Sequence, residues 1–489
     1  MKVTVVVARV IRLVLIMAAP AAAAAVPVPV STAVPAAAPA QAAYVLMGEK
    51  GAIARVITGA AQCPDVTIDG RVEPMTLRAA AAVVPQRPTA SPALLSKPSA
   101  FPVNVCEAAV PGGARRISVA GRALPAPRRQ FRRIVVIGDT GCRLKAADKA
   151  YQPCNDGAAF AFARIAASAA GWRPDLVIHV GDYHYRENPC LEGETGCFGS
   201  PWGYGWDAWD ADFFTPGAAL LAAAPLAPAR GNHEICSRAG QGWSRFLDVH
   251  PRAENQNCDN PVNDHIGDLS EPYAIDLGKG ARVIMMDFSA AGGSTLAADD
   301  WRVGAYRQIY ARVDALSRGA SFAFAVNHYP ILGFGGQHGG ETPVLKPGNA
   351  AIQSVFGSFG PRMAPAGIDV LLAGHIHLWQ QASFTSEHPS QFITGFSGTQ
   401  EDDVPMPATI PPGTEPSPGA VVESFSSWVK GFGYMTMERR GDRSWRVVVR
   451  DRDGHPVNRC MIVGRRSHCN HGLVDAALLA MRLDRDQGI

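Results

Sequence analysis

From residue 131 onward, short apolar runs alternate with alanine-rich stretches along the chain. Apolar runs of about four to eight residues bounded by turn residues are typical of buried strands, and longer periodic stretches are typical of helices. The pattern predicts strands at 133–138, 176–180, 283–286, 322–326 and 370–373. It predicts helices at 156–172, 211–223 and 298–316. Such alternation indicates a layered α/β core.

The segments on either side of this core have a different pattern. Residues 44–126 contain short Val and Ile runs broken by Pro and Gly, which predicts a small β-rich domain. Residues 434–438 and 445–449 alternate like antiparallel strands, and the tail from Cys460 is interpreted as a loop followed by an amphipathic helix at 473–483. The chain is predicted to divide into an N-terminal leader at 1–26, a Pro/Ala linker at 27–43, the small β-rich domain at 44–126, the α/β domain at 131–455 and a tail at 456–489.

Each of five apolar runs is followed by polar residues suited to metal binding. In open α/β sheets, ligands bind at the carboxyl ends of the strands. Carboxylate, amide and imidazole groups together suit Zn, Mn or Fe. They exceed the needs of one ion, which favours a dinuclear centre. The residues are Asp139 in GDTG, Asp182 in GDYHY, Asn232 and His233 in GNHE, His328 after FAFAVN, and His375 and His377 in GHIH.

Each motif has a simpler interpretation when it is taken alone. An aspartate after a strand is usually a helix N-cap or a turn residue, because its side chain accepts backbone hydrogen bonds. A lone histidine after a strand is more often a core residue with satisfied hydrogen bonds. In an extended GHIH segment the two imidazoles would share one face of the strand. The five motifs in this order indicate a metal site more specifically than any one of them.

The order GD, GDxxY, GNHE, H and GHxH resembles the calcineurin-like metallophosphoesterase superfamily, and most of all the purple acid phosphatases, over residues 131–400. Many members have a histidine where this chain has Gly141. Purple acid phosphatases also lack that histidine and carry a tyrosine three residues after the second aspartate, which here is Tyr185. Tyr183 and His184 are the neighbouring alternatives. The resemblance implies a metallophosphoesterase sandwich of two mixed sheets flanked by helices, with the small β-rich domain at its N-terminal side.

The resemblance also implies a role for each site residue. It implies phosphate monoester hydrolysis through attack by a metal-bound hydroxide. Asp182 would bridge the ions, and His233 would donate a hydrogen bond or a proton near the leaving oxygen. His338 corresponds more weakly to a substrate-binding histidine. The first ion, Fe(III), would be held by Asp139, Tyr185 and His377, and the second, Zn, Fe or Mn, by Asn232, His328 and His375.

Two other functions are compatible with the sequence. A phosphodiesterase acting on nucleotides or phospholipid headgroups would use the same metals. A secreted binding module, in which the β-rich domain recognises a polymer and the metals serve structure, belongs to a different class. The complete ligand set and the presence of His233, which is not a ligand, favour an enzyme with a small phosphorylated substrate.

The composition and the N-terminal segment limit the kinds of partner and the cellular compartment that the sequence indicates. Hydrophobic residues make up 47% of the 489 residues, enough for a sizeable core. The net charge is +3, and residues 1–26 carry three basic residues and no acidic one, so nucleic acid is not indicated as the main partner. Those residues form a basic, apolar and alanine-rich leader that predicts a signal peptide and a secreted or periplasmic protein. No later segment has the about 18 continuous apolar residues of a membrane span.

The ten cysteines fall mostly into close sequence neighbours without a CxxC spacing. In an exported protein the spacing is consistent with the pairs 63–106, 142–154, 190–197, 236–258 and 460–469. Ten free thiols in a cytosolic protein are the alternative.

Between the second and third motifs, Trp206, Trp209 and Phe213 have the i, i+3, i+7 spacing of a buried helix face. Trp202 and Tyr204 are the alternative candidates for a substrate-facing aromatic lip.

Overall fold

Two large β-sheets form the centre of the molecule in a computed structural model of the chain, which describes residues 40–339, 343–401, 406–407 and 410–475. The predicted signal peptide, most of the predicted linker and residues 476–489 lie outside the described residues. The first sheet has eleven strands in the spatial order Arg466–Cys469, Pro456–Val463, Ser444–Asp451, Gly433–Arg439, Arg133–Ile137, Leu176–His179, Leu226–Pro228, Ala40–Gly48, Gly51–Thr58, Asn104–Val110 and Thr76–Ala79.

The second sheet has eight strands, and its central strands are parallel to one another. Their spatial order is Tyr273–Gly278, Ala281–Met285, Phe322–Val326, Val370–Ala373, Ser390–Thr394, Trp379–Phe384, Val422–Val429 and Leu473–Asp475. The smaller sheets pair Arg122–Leu124 with Ile117–Val119, Asp65–Ile68 and Arg71–Pro74, Leu144–Lys145 with Ala150–Tyr151, Phe334–Gln337 with Val344–Pro347, and Ala82–Val84 with Ser99–Phe101.

The helices are few and mostly short. The α-helices are Phe162–Gly171, Trp206–Trp209, Thr215–Ala223, Gly240–Phe246, Asp264–Gly267, Trp301–Ser317 and Ala350–Phe356, with a π-helical turn at Asp210–Phe214. Single 3₁₀ turns lie at Ala93–Leu95, Ala146–Asp148, Asn232–Glu234, Glu254–Gln256, Pro261–Asn263 and Gly357–Phe359. The Asp300 and Asn349 side chains cap the helices that follow them by accepting a backbone N–H from Arg302 and Ile352. No helix in these ranges combines the length and the apolar character that crossing a bilayer requires.

The two large sheets pack face to face, and helices cover their outer faces. Along one strand, Ile134 and Val136 belong to the core between the sheets, together with Phe324 of the second sheet. The alternate residues Val135 and Ile137 belong to a second core formed with the helical segments at 162–171 and 206–223. The outer face of the second sheet is covered by the helices Trp301–Ser317 and Ala350–Phe356. The predicted sandwich of mixed sheets flanked by helices is confirmed.

The predicted core elements correspond closely to the structure. The strand predicted at 370–373 has those bounds, and the helix predicted at 298–316 forms at Trp301–Ser317. Trp206, Trp209 and Phe213 are buried, as their helical spacing predicts. Tyr204 is also buried, with its hydroxyl donating to Glu187, so it does not form an exposed lip.

The N-terminal region is rich in strands, as predicted. Strand Ala40–Gly48 runs parallel to Leu226–Pro228, and its partner Gly51–Thr58 continues the same sheet. Residues 40–110 therefore contribute four strands to the first large sheet. The division between 44–126 and 131–455 stays a prediction.

The C-terminal segment differs from its sequence interpretation. The predicted loop after Cys460 is part of a β-hairpin, in which Pro456–Val463 pairs with Arg466–Cys469. The first three residues of the predicted helix form the strand Leu473–Asp475, parallel to Val422–Val429. Pairing with an exposed sheet edge outweighed local helical periodicity in this segment. The rest of the predicted helix lies outside the described residues.

All ten cysteines form disulfides, and the five pairs are those consistent with the sequence spacing. Two of the bridges flank the site described below, since Cys142 follows Asp139 closely and Cys190 follows Tyr185. Five disulfides fit an extracellular protein, because such bonds persist in oxidising compartments.

Candidate metal centre

The polar residues predicted from the strand ends come together at one edge of the two sheets. Strand Arg133–Ile137 lies parallel to Leu176–His179, so the turns that follow them are adjacent. The pairing continues beyond the strands, because Asp139 N donates to Gly181 O at 3.0 Å and Thr140 N donates to Asp182 O at 3.0 Å. The two aspartates are thereby fixed side by side.

Three of the proposed ligand residues have a left-handed backbone, which is uncommon for residues other than glycine. The φ angles are 54° at Asp139, 58° at Asp182 and 71° at His375. Such conformations cost of order 1–3 kcal/mol each and cluster at functional sites. The chain turns sharply after each strand, and the turn aims the side chain at the centre instead of along the sheet.

Glycines leave room for these carboxylates. A Cβ atom at Gly231 would lie 2.1 Å from Asp182 Oδ1, and one at Gly374 would lie 2.4 Å from Asp139 Oδ2. Both distances are far below van der Waals contact. Glycine is required at these two positions because the backbone passes directly against a ligand side chain.

The Tyr185 hydroxyl lies at the middle of the cluster. It donates to Asp139 Oδ1 at 2.9 Å or to Asp182 Oδ2 at 2.9 Å, and it lies 3.0 Å from His377 Nε2. Tyr185 is 1% exposed, so this phenol is confined to the centre. Position 141 cannot supply another ligand, because a Cβ there would lie 2.7 Å from Tyr183 O and 2.8 Å from Tyr185 N.

The two alternatives to Tyr185 point elsewhere. Tyr183 donates its hydroxyl to Ala229 O at 3.0 Å, and its ring stacks on His179 with centroids 3.7 Å apart. The ring of His184 is buried beside Trp209, with centroids 5.6 Å apart. Of the three candidates, only Tyr185 contacts both aspartates in the structure.

The imidazoles of His328 and His377 are oriented by backbone carbonyls. His328 Nδ1 lies 3.0 Å from Val180 O, and His377 Nδ1 lies 2.9 Å from Gln400 O. Because a carbonyl can only accept, each Nδ1 carries a proton, which leaves each Nε2 as the ring atom that could bind a metal ion. His328 Nε2 is buried 3.0 Å from Asp182 Oδ2 yet makes no hydrogen bond of good geometry. A buried ring nitrogen without a hydrogen-bond partner is suited to binding a metal ion.

The GHIH segment differs from the expected strand. Residues 375–378 form a bend between the strands Val370–Ala373 and Trp379–Phe384, so the two imidazoles do not share a strand face. Both still reach the cluster. His375 Nδ1 lies 3.0 Å from Asn232 Oδ1, and His377 Nε2 lies 3.4 Å from Asp139 Oδ1.

Asp182, His328 and His375 form one compact group whose ligand atoms all lie within 4.8 Å of one another. Burial opposes ionisation of Asp182, but the neighbouring His328 imidazole holds the pKa of its carboxyl well below the usual range. Burial also opposes the charged form of His328, and Asp182 outweighs it and raises the pKa of His328 to about 9. A metal ion would replace the proton on this imidazole, since ligands must be deprotonated.

His233 lies beside the proposed ligands without belonging to them. Its backbone N–H donates to Asp182 Oδ1 at 2.8 Å, and its Nε2 lies 3.8 Å from Asp182 Oδ2. Its ring packs on Tyr185 with centroids 3.9 Å apart. Burial, together with the Arg238 guanidinium, lowers the pKa of His233 to about 4.

His338 stands apart from these residues in environment. It follows strand Phe334–Gln337 and is exposed, whereas the other proposed site residues are buried or half-buried. The next residues, 340–342, lie outside the described residues. Its role in substrate binding stays a prediction.

Two buried carboxylates that were not among the predicted site residues hold the loops of the site, Glu234 and Asp212. The carboxylate of Glu234 accepts backbone N–H groups from Asp182 at 3.1 Å and from Tyr183 at 2.9 Å. Asp212 accepts from Tyr185 N at 2.7 Å and fixes the start of the same loop. Glu234 is the last residue of GNHE, so the motif contains a supporting residue as well as a ligand. Asp212 lies in an otherwise aromatic helical stretch and could not be identified from spacing.

The chain is similar to several solved structures. It is similar to purple acid phosphatase PPD1 from yellow lupin (Lupinus luteus) seeds at 14% identity, covering 90% of this chain and 75% of that chain with a TM-score of 0.49. It is similar to PhoD at 10% identity, covering 89% and 92% with a TM-score of 0.48. A third is GAP50 of Plasmodium, at 10% identity, covering 72% and 95% with a TM-score of 0.39.

None of the curated proteins compared with the chain matches it. A sequence model of the calcineurin-like phosphoesterase family matches residues 132–378, slightly more than half of the chain. The match begins at the strand that precedes Asp139 and ends just after His377, so it spans all five motifs. The chain therefore belongs to the calcineurin-like phosphoesterase family of hydrolases.

Proposed function

We propose that this protein is an exported phosphoesterase that hydrolyses phosphate monoesters at a dinuclear metal centre of the purple acid phosphatase type. One observation carries the proposal. The buried Tyr185 hydroxyl lies 2.9 Å from both Asp139 and Asp182 and 3.0 Å from His377 Nε2. A phenol among two carboxylates and an imidazole is a hard donor set that favours Fe(III) at this position.

The remaining donors define a second position on the other side of Asp182. His328 Nε2 lies 3.0 Å from Asp182 Oδ2, and His375 lies against Asn232 Oδ1. Asp182 belongs to both groups, so it is the proposed bridging ligand. The first ion would be held by Asp139, Tyr185 and His377, and the second, Zn, Fe or Mn, by Asn232, His328 and His375. Two such ions activate water and offset phosphoryl charge.

The protein's own groups orient the substrate in this proposal. His233 lies at the edge of the centre, with Nε2 3.8 Å from Asp182 Oδ2, and would contact the leaving oxygen. Its pKa is lowered to about 4, so at neutral pH it is a neutral imidazole that would first take up a proton at Nε2 from the attacking water and then pass it to the leaving oxygen. His338, in the exposed segment after Phe334–Gln337, is a second candidate for substrate contact.

Export is part of the proposal. Five disulfides join all ten cysteines, which favours an oxidising compartment over a cytosolic one. The basic leader predicted at 1–26 is consistent with a periplasmic or secreted protein.

The monoesterase activity can be tested with two substrates that share a leaving group. We expect metal-replete protein to release nitrophenol from nitrophenyl phosphate and to act poorly on bis(nitrophenyl) phosphate. The reason is that the proposed centre offers positive charge for a dianionic phosphoryl group, which the diester lacks. Comparing kcat/KM for the two compounds checks this. A higher value for the diester would favour the phosphodiesterase, and release of nitrophenol from neither compound would favour a binding module.

Tyr185→Phe tests the metal assignment through colour. We expect the wild-type protein to absorb visible light through tyrosinate bound to Fe(III), and the variant to lose this band while keeping its fold. The hydroxyl is the only part of the side chain that the substitution removes. Spectra and metal analysis of both proteins provide the measurement, and Tyr183→Phe is the matched control because that hydroxyl donates to Ala229 O. A band that survives in Tyr185→Phe would exclude Tyr185 as the iron ligand.

A further inference from the structure

The buried ion pair of Glu187 and Arg238 contacts His233, and neither residue is a proposed metal ligand. Glu187 is 1% exposed and Arg238 is 5% exposed. Glu187 belongs to the loop that carries Asp182 and Tyr185, whereas Arg238 lies in the turn that follows Asn232. The pair therefore joins the two loops that deliver the proposed bridging ligand and its neighbours.

The pair is held in one geometry by several hydrogen bonds. Arg238 Nε donates to Glu187 Oε2 at 3.0 Å, and Arg238 Nη2 donates to Glu187 Oε1. The Tyr204 hydroxyl donates to Glu187 Oε2 at 3.0 Å. Both carboxylate oxygens thus act only as acceptors. A buried pair of this kind is weak evidence for stability, because desolvation offsets much of its attraction.

The pair contacts both edges of the His233 ring. His233 Nδ1 lies 3.0 Å from His184 O and 3.2 Å from Glu187 Oε1, so this nitrogen carries the proton. Arg238 Nη2 lies 2.7 Å from Nδ1 and 2.8 Å from Nε2 of the ring. Only Nε2 has a free lone pair in this tautomer, so it accepts from Arg238. Rotating the ring would break contacts at both nitrogens.

We propose that Glu187 and Arg238 are positioning residues that hold the His233 imidazole in one tautomer and one orientation beside Asp182. Arg238 also donates through Nη1 to Asn232 O at 3.3 Å, which ties the same guanidinium to the backbone of a proposed ligand residue. The inference rests on the proposed function, in which His233 contacts the leaving oxygen. Partners of this kind fix an imidazole's tautomer by accepting the proton of one ring nitrogen.

Glu187→Gln is the sharpest test, because it keeps the shape and removes one acceptor. In the wild type, Arg238, His233 Nδ1 and the Tyr204 hydroxyl all donate to the Glu187 carboxylate. The glutamine amide replaces one acceptor oxygen with an NH₂ group, which then faces either Arg238 and His233 or Arg238 and Tyr204. We expect kcat for a phosphate monoester to fall by about 10- to 100-fold, the range seen for supporting partners. KM and metal content should stay near the wild-type values.

A double-mutant cycle separates positioning from general structural damage. We expect His233→Asn to lower kcat more than Glu187→Gln, and Glu187→Gln to cause little further loss in the His233→Asn background. Residues that act through a shared partner show such non-additivity. Glu107→Gln is the matched control, since it makes the same change at the carboxylate that pairs with the buried Arg55 of strand Gly51–Thr58. Its effect should be the same in both backgrounds.

Nitrogen NMR of the metal-free protein gives a second readout that needs no substrate. In ¹⁵N-histidine-labelled wild type, the signal assigned through His233→Asn should show the proton on Nδ1. In Glu187→Gln the same signal should shift towards a mixture of tautomers or broaden, and in Glu107→Gln it should stay unchanged.

Two results would overturn the inference. One is an unchanged tautomer in Glu187→Gln, and the other is a loss of kcat that multiplies with that of His233→Asn. A wild type that is inactive on every phosphate ester would overturn the proposed function instead, and the tautomer measurement would still decide the role of the pair.

Discussion

Asp182→Ala is expected to abolish phosphate release, with kcat falling by about a thousandfold or more. Among the residues that the structure describes, Asp182 is the one carboxylate within hydrogen-bonding distance of both Tyr185 and His328, at 2.9 Å and 3.0 Å. Its removal would take the shared ligand from both proposed metal positions. Loss of a few kcal/mol of transition-state stabilisation is enough for this effect, because each 1.36 kcal/mol corresponds to about a factor of ten.

The measurement combines nitrophenyl phosphate hydrolysis with metal analysis of the purified variant. We expect less than the wild-type metal content together with the lost activity, because the shared ligand is gone. Asp314→Ala is the matched control, since Asp314 lies on the outer helix Trp301–Ser317 and pairs with the exposed Arg318 just after its end. It should retain the wild-type rate. Full activity in Asp182→Ala would contradict the proposed centre.

The part of the site that the sequence predicts best lies at the strand ends. The apolar runs before Asp139 and Asp182 form neighbouring parallel strands of the first large sheet, and the run before His328 forms a parallel strand of the second. Parallel strands bring their carboxyl ends to one edge of a sheet. A residue that follows such a strand by one or two positions must lie near the carboxyl end of that strand. For this reason the spacing between apolar run and polar residue was enough to predict that these side chains lie together.

The backbone conformation inside the turns could not be predicted from the sequence. GHIH suggested an extended strand, yet residues 375–378 bend and His375 has a φ of 71°. Alternation within four residues cannot distinguish a strand from a turn that aims both imidazoles inward. The structure adopts the turn because strand Trp379–Phe384 runs antiparallel to Ser390–Thr394, which lies parallel to Val370–Ala373. The chain must therefore reverse at this point.

Contacts between residues that are far apart in the sequence could not be predicted from motif spacing either. Glu187 and Arg238 are 51 residues apart, and nothing in either local segment indicates that they meet. Strand Ala40–Gly48 likewise finds its place beside Leu226–Pro228, far along the chain. Tertiary contacts of this kind depend on the whole sheet order, whereas periodicity reports only on local structure.

Gly231→Ala is expected to damage the site as severely as the loss of a ligand, although the substitution adds only a methyl group. The new Cβ would lie 2.1 Å from Asp182 Oδ1 and 2.3 Å from Asp182 N. One of these is backbone, so a rotamer change of Asp182 cannot relieve both contacts. Gly231 has a φ of −102°, which alanine adopts freely, so the effect would come from the clash and not from backbone strain.

The expected magnitude follows from how far the two loops must separate. Overpacking of this kind costs about 1–3 kcal/mol of stability. A displacement of about 1 Å at a reacting group can lower the rate by about a hundredfold, so kcat/KM should fall at least that much. Gly304→Ala is the matched control, because an added Cβ there meets no atom within 4 Å in the exposed face of Trp301–Ser317.

Thermal unfolding, metal content and kcat/KM of the two glycine variants make the comparison. Gly304→Ala should be stabilised by about 0.5–1 kcal/mol, the usual gain of alanine over glycine in a helix, with unchanged activity. Gly231→Ala should lose both stability and activity, because Asp182 and the turn that carries Asn232 and His233 can no longer approach each other. Retention of the wild-type rate in Gly231→Ala would mean that the proposed bridging ligand tolerates a different position, and that the close packing of these loops is not needed for catalysis.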